Sequence, residues 1–309
     1  MPWPNAGRSL SIMTKTSTDL AGAVERAGRA VVAIHARRRI PSSGILWRPG
    51  VIATANHTLH REDDITVTTP DGNRIPATLA GRDPTTDLAV LRIDAPNLPA
   101  AEIADSDALG VGTFVLAVGR PGSSLTATFG IVSALGPEWR TWRGGSIDRW
   151  IRLDLRIADG FSGGALVTQA GTIAGVNTSG LTRGSAIALP TSTVDRVVTQ
   201  LLTTGHVPRA YLGLGLQAGV RLPAPLVTKL GRDSDLAPII VSIESGSPAD
   251  RGGLLVGDIL ADADKTAIHD ASDLMDVLTA DRIGKSLTVH VVRGGEPREL
   301  TVTVGERPR

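Results

Sequence analysis

Cysteine is absent from this chain of 309 residues, which excludes disulfide staples, thiolate catalysis and Cys-ligated zinc. Aromatic residues make up only 3%, whereas glycine (35) and proline (19) are plentiful. That balance favours many short strands and turns over a helical bundle. Excess charge is lacking too: the formal net charge is +1, and no global field points to nucleic acid or an acidic membrane as partner. Arg37-Arg38-Arg39 is a local basic run, far short of a basic face. No stretch of 18 apolar residues occurs, so no transmembrane helix is expected. The segment MPWPNAGRSLSIMTKTSTDL has no continuous apolar core of the secretory kind. On these grounds alone the expected location is cytoplasmic, with residues 1–16 a flexible extension and Met13 an alternative start.

The chain has room for two or three compact domains. Residues 17–29 carry capping-type residues followed by Leu20, Val24 and Ala27, which predicts a short helix. From Val31 to about Leu189, short apolar or alternating runs follow one another, among them AVVAI, ITVT, DLAVLRI, TFVLAV, FGIVSAL, ALVT, TIAGV and AIAL. Gly, Pro, Asp and Asn punctuate them in the manner of an antiparallel sandwich or barrel. Ser192–Thr204 then places Val194, Val197, Val198, Leu201 and Leu202 on one helical face, and Gly205 stands where a left-handed cap belongs. The predicted first domain therefore runs over 17–206. Residues 210–306 read as a second, smaller unit. In it YLGLGL, PIIVSI and GDILADAD are strand-like, DASDLMDVLTA is a capped helix, and SLTVHVVRGGEPRELTVTV is a hairpin turning at Gly294-Gly295.

One stretch of the first domain, ADGFSGGALV, sets Ser162 among glycines. Acyl transfer by serine needs a base for its proton, an acid to orient that base, and donors for the oxyanion. Of six histidines, only His35, His57 and His60 precede the helical boundary. His57 follows the apolar Val51-Ile52-Ala53 in a small-residue turn, a context that buries a base at a barrel edge with one face open. His35 precedes the arginine run and reads as a solvated strand end; His60 adjoins Arg61, Glu62, Asp63 and Asp64, a solvent-facing loop. Asp87 stands immediately before the buried-type strand LAVLRI, where a carboxylate needs a partner. Asp83, Asp94, Asp105 and Asp107 lie in loops and read as exposed or turn-forming. The order His57, Asp87, Ser162 is that of chymotrypsin-type double β-barrels. In such a site the backbone N–H groups of Gly160 and Ser162 are the oxyanion donors. Singly, each residue has a plainer account as a turn, a core histidine or a strand cap. Jointly, their order and the glycine pattern favour a protease.

These residues resemble the HtrA/DegP-like (high-temperature-requirement) serine proteases over most of the chain. GVIATANHTL, DGNRIPATLAGRDPTTDLAVLRID, FGIVSALG, LDLRIADGFSGGALV, GTIAGVNTSG and AIALP carry the resemblance. It implies a mainly β fold, a chymotrypsin-like double barrel followed by an α/β PDZ domain. It further implies His57 as base, Asp87 as orienting acid and Ser162 as nucleophile. Ile157 would line the primary specificity pocket and favour cleavage after small or medium aliphatic residues. Gly175-Val176-Asn177 would pair with an extended substrate. Tyr211, Leu212, Gly213 and Leu214 correspond to the loop and strand that receive a peptide C-terminal carboxylate in the family's PDZ domain.

Departures from the family pattern are Phe161 for a small polar residue, Ala165 for proline, and Arg156 near the pocket strand. Phe161 would reshape the oxyanion turn or part of the substrate cleft. The segment 136–143, rich in Trp and Arg, reads as an amphipathic surface loop at the place of a regulatory loop. The implied function is ATP-independent endoproteolysis of unfolded or tagged polypeptides, with no metal, no cofactor and no nucleic acid. The alternative is a weakly active or inactive protein-binding scaffold. A homotrimer held by N-terminal aromatics and a bacterial cell-envelope or periplasmic location are further family expectations; Trp3 is the single aromatic before Trp47.

Overall fold

The computed structural model describes residues 19–141, 144–182 and 184–308. The expected 1–16 extension, with Trp3 and Met13, lies outside the described residues, as do Trp142 and Arg143. The chain divides into two units, Met1–Val207 and Pro208–Arg309.

After a helix over residues 19–28, the first unit forms two closed antiparallel barrels. The first contains β1 (Val31–His35), β2 (Ser42–Arg48), β3 (Val51–Ala55), β4 (Ile65–Thr68), β5 (Arg74–Asp83) and β6 (Leu88–Ile93), in the order β1-β2-β3-β6-β5-β4. The second contains β7 (Phe114–Gly119), β8 (Thr126–Gly136), β11 (Trp150–Asp154), β12 (Ala165–Val167), β13 (Ile173–Thr178) and β14 (Ala186–Pro190), in the order β11-β14-β13-β12-β7-β8. A small hairpin of β9 (Trp139–Arg140) and β10 (Ser146–Ile147) stands between β8 and β11.

Period-two alternation assigns the two faces of each strand to different cores. Leu46, Ile52, Ala89 and Leu91 fill the interior of the first barrel, while Ile45, Val51, Ala53 and Val90 point outward. Those outward residues are still buried, because they meet Leu116, Val118, Val167, Ile173 and Val176 of the second barrel. Burial on both faces explains why strands such as VVAI read as continuous apolar runs rather than alternating ones. The helix Thr191–Thr204 covers this shared core with Val194, Val197, Val198 and Leu201, and ends on Gly205 at φ 76°.

The second unit is a sheet ordered β16-β17-β18-β20-β21. Its strands are β16 (Leu214–Arg221), β17 (Leu236–Ile243), β18 (Ile259–Ala263), β20 (Ser286–Arg293) and β21 (Glu296–Thr303). β19 (Thr266–Ala267) flanks β18, and β15 (Ala210–Tyr211) pairs with β22 (Gly305–Glu306). Short helices occupy Ala224–Lys229, Pro248–Arg251 and Ala271–Val277; in the last, the Asp270 carboxylate accepts the N–H groups of Ser272 and Asp273. Gly294 (φ 58°) and Gly295 (φ 85°) turn the final hairpin. One free edge of this sheet is β16.

All five tryptophans precede residue 208, so their fluorescence reports on the first unit. Leu201 is fully buried in the core shared by both barrels. Leu201→Ala is expected to lower the stability of that unit by about 2–5 kcal/mol, measured as a shift of the tryptophan-detected urea midpoint.

Candidate active site

Asp87 precedes β6 with φ 58°, a left-handed backbone that aspartate tolerates better than most residues. Its carbonyl accepts Asn56 N–H at 2.9 Å, and its buried carboxylate has three donors. Oδ1 accepts the backbone N–H of His57 at 2.8 Å. Oδ2 faces His57 Nδ1 at 2.7 Å and also accepts the Thr178 hydroxyl. His57 sits in the 3₁₀ turn Asn56–Thr58 just after β3, its side chain 35% exposed. Arg82 pins that turn, donating to Asn56 Oδ1 (2.6 Å) and to the carbonyls of Asn56 and Leu59. The imidazole is thus fixed on its Nδ1 side, and Nε2 has no hydrogen-bond partner among the described residues.

The segment leading to Asp87 is itself a buried turn. Asp83 caps it, accepting from the N–H and hydroxyl of both Thr85 and Thr86. Thr141 Oγ1 donates to the Thr85 carbonyl at 2.8 Å, so the segment after β9 rests on this turn. His35 and His60 are apart from the pair. His60 is exposed. His35 is half-buried rather than a solvated strand end, its Nε2 2.8 Å from Thr68 Oγ1; burial first, then Arg74 and Arg61, hold its pKa below the usual histidine value.

Ser162 lies in the turn between β11 and β12 and is nearly buried. Gly160 and Gly163 have φ 87° and 84°, a region glycine enters without steric cost. A Cβ on Gly160 would also stand 2.5 Å from Pro121 Cβ and 2.8 Å from the Pro41 carbonyl. Phe161 N–H closes the turn onto the Ala158 carbonyl (3.0 Å), and the N–H groups of Gly163 and Gly164 bond to Asn177 O and Phe161 O. Among the described residues no acceptor takes the N–H groups of Gly160 and Ser162.

Ser43, on β2, braces this turn from the other barrel. Its N–H donates to Ser162 O (3.3 Å), its hydroxyl donates to Gly160 O (2.6 Å) and accepts Arg120 N–H (2.8 Å), and its carbonyl accepts the Thr54 hydroxyl. Sequence reasoning did not single out Ser43, because the turn it braces, at Gly160 and Ser162, lies more than a hundred residues away.

The remaining expected site residues separate. Ile157 is half-exposed between β11 and the Ser162 turn. Phe161 is 1% exposed and turns inward against Gly119, so it does not line an open cleft; the turn absorbs its ring into the interior. Val176 and Asn177 are also not substrate-facing. β13 is bonded to β12 on one side and β14 on the other, Val176 is in the shared core, and Asn177 Nδ2 bonds to Ala165 O. Pairing with β14 ends at Thr178, so Ser179 is the first residue beyond the ladder, two residues past the expected place, and Gly180 N–H turns back to Thr178 Oγ1 at 2.9 Å.

In the second unit, Tyr211 pairs with Gly305 and its hydroxyl donates to Glu244, which raises the phenol pKa. Leu212 is a core residue, whereas Gly213 has φ 79° and opens into the edge strand β16 at Leu214. The carbonyls of Leu212 and Gly213 are taken by the N–H groups of Ala249 and Glu244.

A trypsin-like peptidase domain profile matches residues 42–176, and a PDZ domain profile matches 214–304. The HtrA-type protease AlgW with decapeptide is 33% identical, with TM-score 0.75 over 94% of this chain and 99% of that one. The chain belongs to the HtrA/DegP-like family of serine proteases. A serine endoprotease from Yersinia pestis, also of known structure, is 30% identical with TM-score 0.75 over 94% and 98% of the two chains. Among curated relatives, a probable periplasmic serine endoprotease DegP-like of Pseudomonas savastanoi is 35% identical over 86% of this chain. One of Chlamydia pneumoniae is 32% identical over 89%. The chain spans 56% and 57% of the length of these two.

Within this family framework the double barrel and the PDZ domain are the two units described above. The relatives are named periplasmic, and none supports the cytoplasmic expectation. No helix among the described residues is long and apolar enough to cross a membrane.

Ser43→Ala leaves Gly160 O and Arg120 N–H without their buried partner. The expected cost is about 1–3 kcal/mol, read as a lower tryptophan-detected urea midpoint, together with slower labelling of the protein by a fluorophosphonate probe.

Proposed function

We propose that the chain is a serine endopeptidase, acting without ATP, in which Ser162 is the nucleophile, His57 the general base and Asp87 the group that orients it. The observation that carries this reading is the buried, three-donor Asp87 carboxylate held 2.7 Å from His57 Nδ1, beside a glycine turn presenting Ser162. His57 Nε2 takes the Ser162 proton as Oγ attacks the peptide carbonyl. The oxyanion is met by the N–H groups of Gly160 and Ser162, which have no acceptor among the described residues. The imidazolium then protonates the leaving amine, and water, activated by the same base, releases the acyl group. Every proton in this cycle moves between side chains, substrate and water.

Extended polypeptide lies along the backbone beyond Thr178, where strand pairing ends. Ile157, on the approach to the Ser162 turn, favours a small or medium aliphatic side chain before the scissile bond. The substrates are unfolded or tagged polypeptides, by likeness to the relatives, and the location is periplasmic on the same ground. A homotrimer is the proposed assembly; the stacked, half-exposed Phe114 and Phe129, centroids 5.3 Å apart, offer an apolar surface for it.

The PDZ domain recruits peptide C-termini. Support for this comes from the Leu212 and Gly213 carbonyls, which are bonded internally and leave the N–H groups of the Tyr211–Leu214 segment as the candidates for a terminal carboxylate, and from the open β16 edge for the preceding residues.

Two measurements test these readings. Wild-type protein should react with a fluorophosphonate probe and cleave β-casein, and Ser162→Ala should abolish labelling and lower turnover roughly 10⁴-fold or more. Absence of labelling with equal turnover in the two proteins would support a scaffold instead. A peptide with a free apolar C-terminus should bind about ten- to a hundredfold more tightly than its amidated twin, by calorimetry; equal affinities would argue against carboxylate capture.

A further inference from the structure

Three consecutive residues at the end of β13 meet all three members of the proposed triad. Thr178 donates its hydroxyl to Asp87 Oδ2. Ser179 Oγ lies 3.0 Å from Ser162 Oγ. Gly180 packs so closely on the acid–base pair that a Cβ there would stand 2.5 Å from Asp87 Oδ2 and 2.6 Å from His57 Nδ1. Thr178 is buried and paired with Ile187, whereas Ser179 and Gly180 are exposed and lie beyond the last pair.

The Ser162 hydroxyl therefore has Ser179 as its hydrogen-bond partner, and no bond joins it to His57 among the described residues. A serine hydroxyl carries one proton and two lone pairs. If Ser162 donates, its proton is aimed away from the base. If Ser179 donates, it occupies a lone pair of the attacking oxygen. Both senses of the bond oppose nucleophilic attack. Loss of the Ser179 partner frees whichever of the two, proton or lone pair, the bond engages.

We propose that Ser179 is a positioning residue that holds Ser162 off its base in the substrate-free protein. An extended peptide laid along residues 179–181 releases it. The inference rests on the endopeptidase reading and adds a resting state to it. Ser179 is the first residue beyond the β13–β14 ladder, on the segment where substrate pairs, so occupancy of that segment and the direction of the nucleophile are coupled through one side chain. The coupling is local and needs no movement of a barrel.

The test is the second-order rate of fluorophosphonate labelling for wild type, Ser179→Ala, Ser179→Thr and Ser162→Ala, with thermal midpoints recorded alongside. Ser179→Ala should label about three- to tenfold faster than wild type, the range expected for one hydrogen bond. Ser179→Thr, which retains the hydroxyl, should label at the wild-type rate. Midpoints of the two Ser179 variants should match wild type, because the residue is exposed. Labelling of Ser179→Ala at or below the wild-type rate overturns the proposal while leaving the endopeptidase reading intact. Equal acceleration by Ser179→Thr overturns it as well, since the hydroxyl would then be irrelevant. A wild-type protein that never labels overturns both readings together.

Discussion

A carboxylate buried between two barrels governs this structure. Asp87 has to be satisfied, and its donors come from different places: His57 from the first barrel, Thr178 from the second. An ionisable group in such a setting is costly without partners, so the barrels must meet in one registration for Asp87 to be tolerated. The same registration fixes the imidazole. Stability of the fold and orientation of the His57 ring are therefore one requirement rather than two.

The apolar core shared by the barrels supplies the free energy for that registration. Val31, Ile45, Ala53 and Val90 meet Val118, Val167 and Val176, and the helix Thr191–Thr204 closes over them. Ser43 then transfers the registration to the Ser162 turn. It is a β2 residue, yet it holds the carbonyls of Gly160 and Ser162 in the second barrel. A shift of one barrel against the other would loosen the His57 ring and the Ser162 turn together.

An antiparallel sandwich or barrel was legible because strands buried on both faces leave uninterrupted apolar runs, and the covering helix because a left-handed glycine marks its end, whereas the double barrel followed from the His57, Asp87, Ser162 order and the family resemblance. β5 was far less so: Pro76 and Gly81 interrupt it, and its burial follows no simple alternation. Ser162 announces itself through its glycines, which the turn needs at φ 87° and 84°. Thr178 could not be recognised, since a threonine closing an apolar run is ordinary until Asp87, 91 residues away, is seen to accept its hydroxyl. Periodicity located β13 but not the residue where its pairing stops, which is why Val176 and Asn177 were expected at the cleft and lie inside the barrel. Phe161 was expected there for a similar reason: sequence shows its place in the turn, not the direction of its ring.

The claim on which the account stands is that His57 carries a proton on Nδ1 directed at Asp87. One-dimensional proton NMR in water observes that proton directly. The account predicts a strongly downfield, exchange-protected resonance in the wild-type protein that disappears in Asp87→Ala. A folded wild-type protein with no such resonance in acidic or neutral solution, or one whose resonance survives Asp87→Ala, would contradict it.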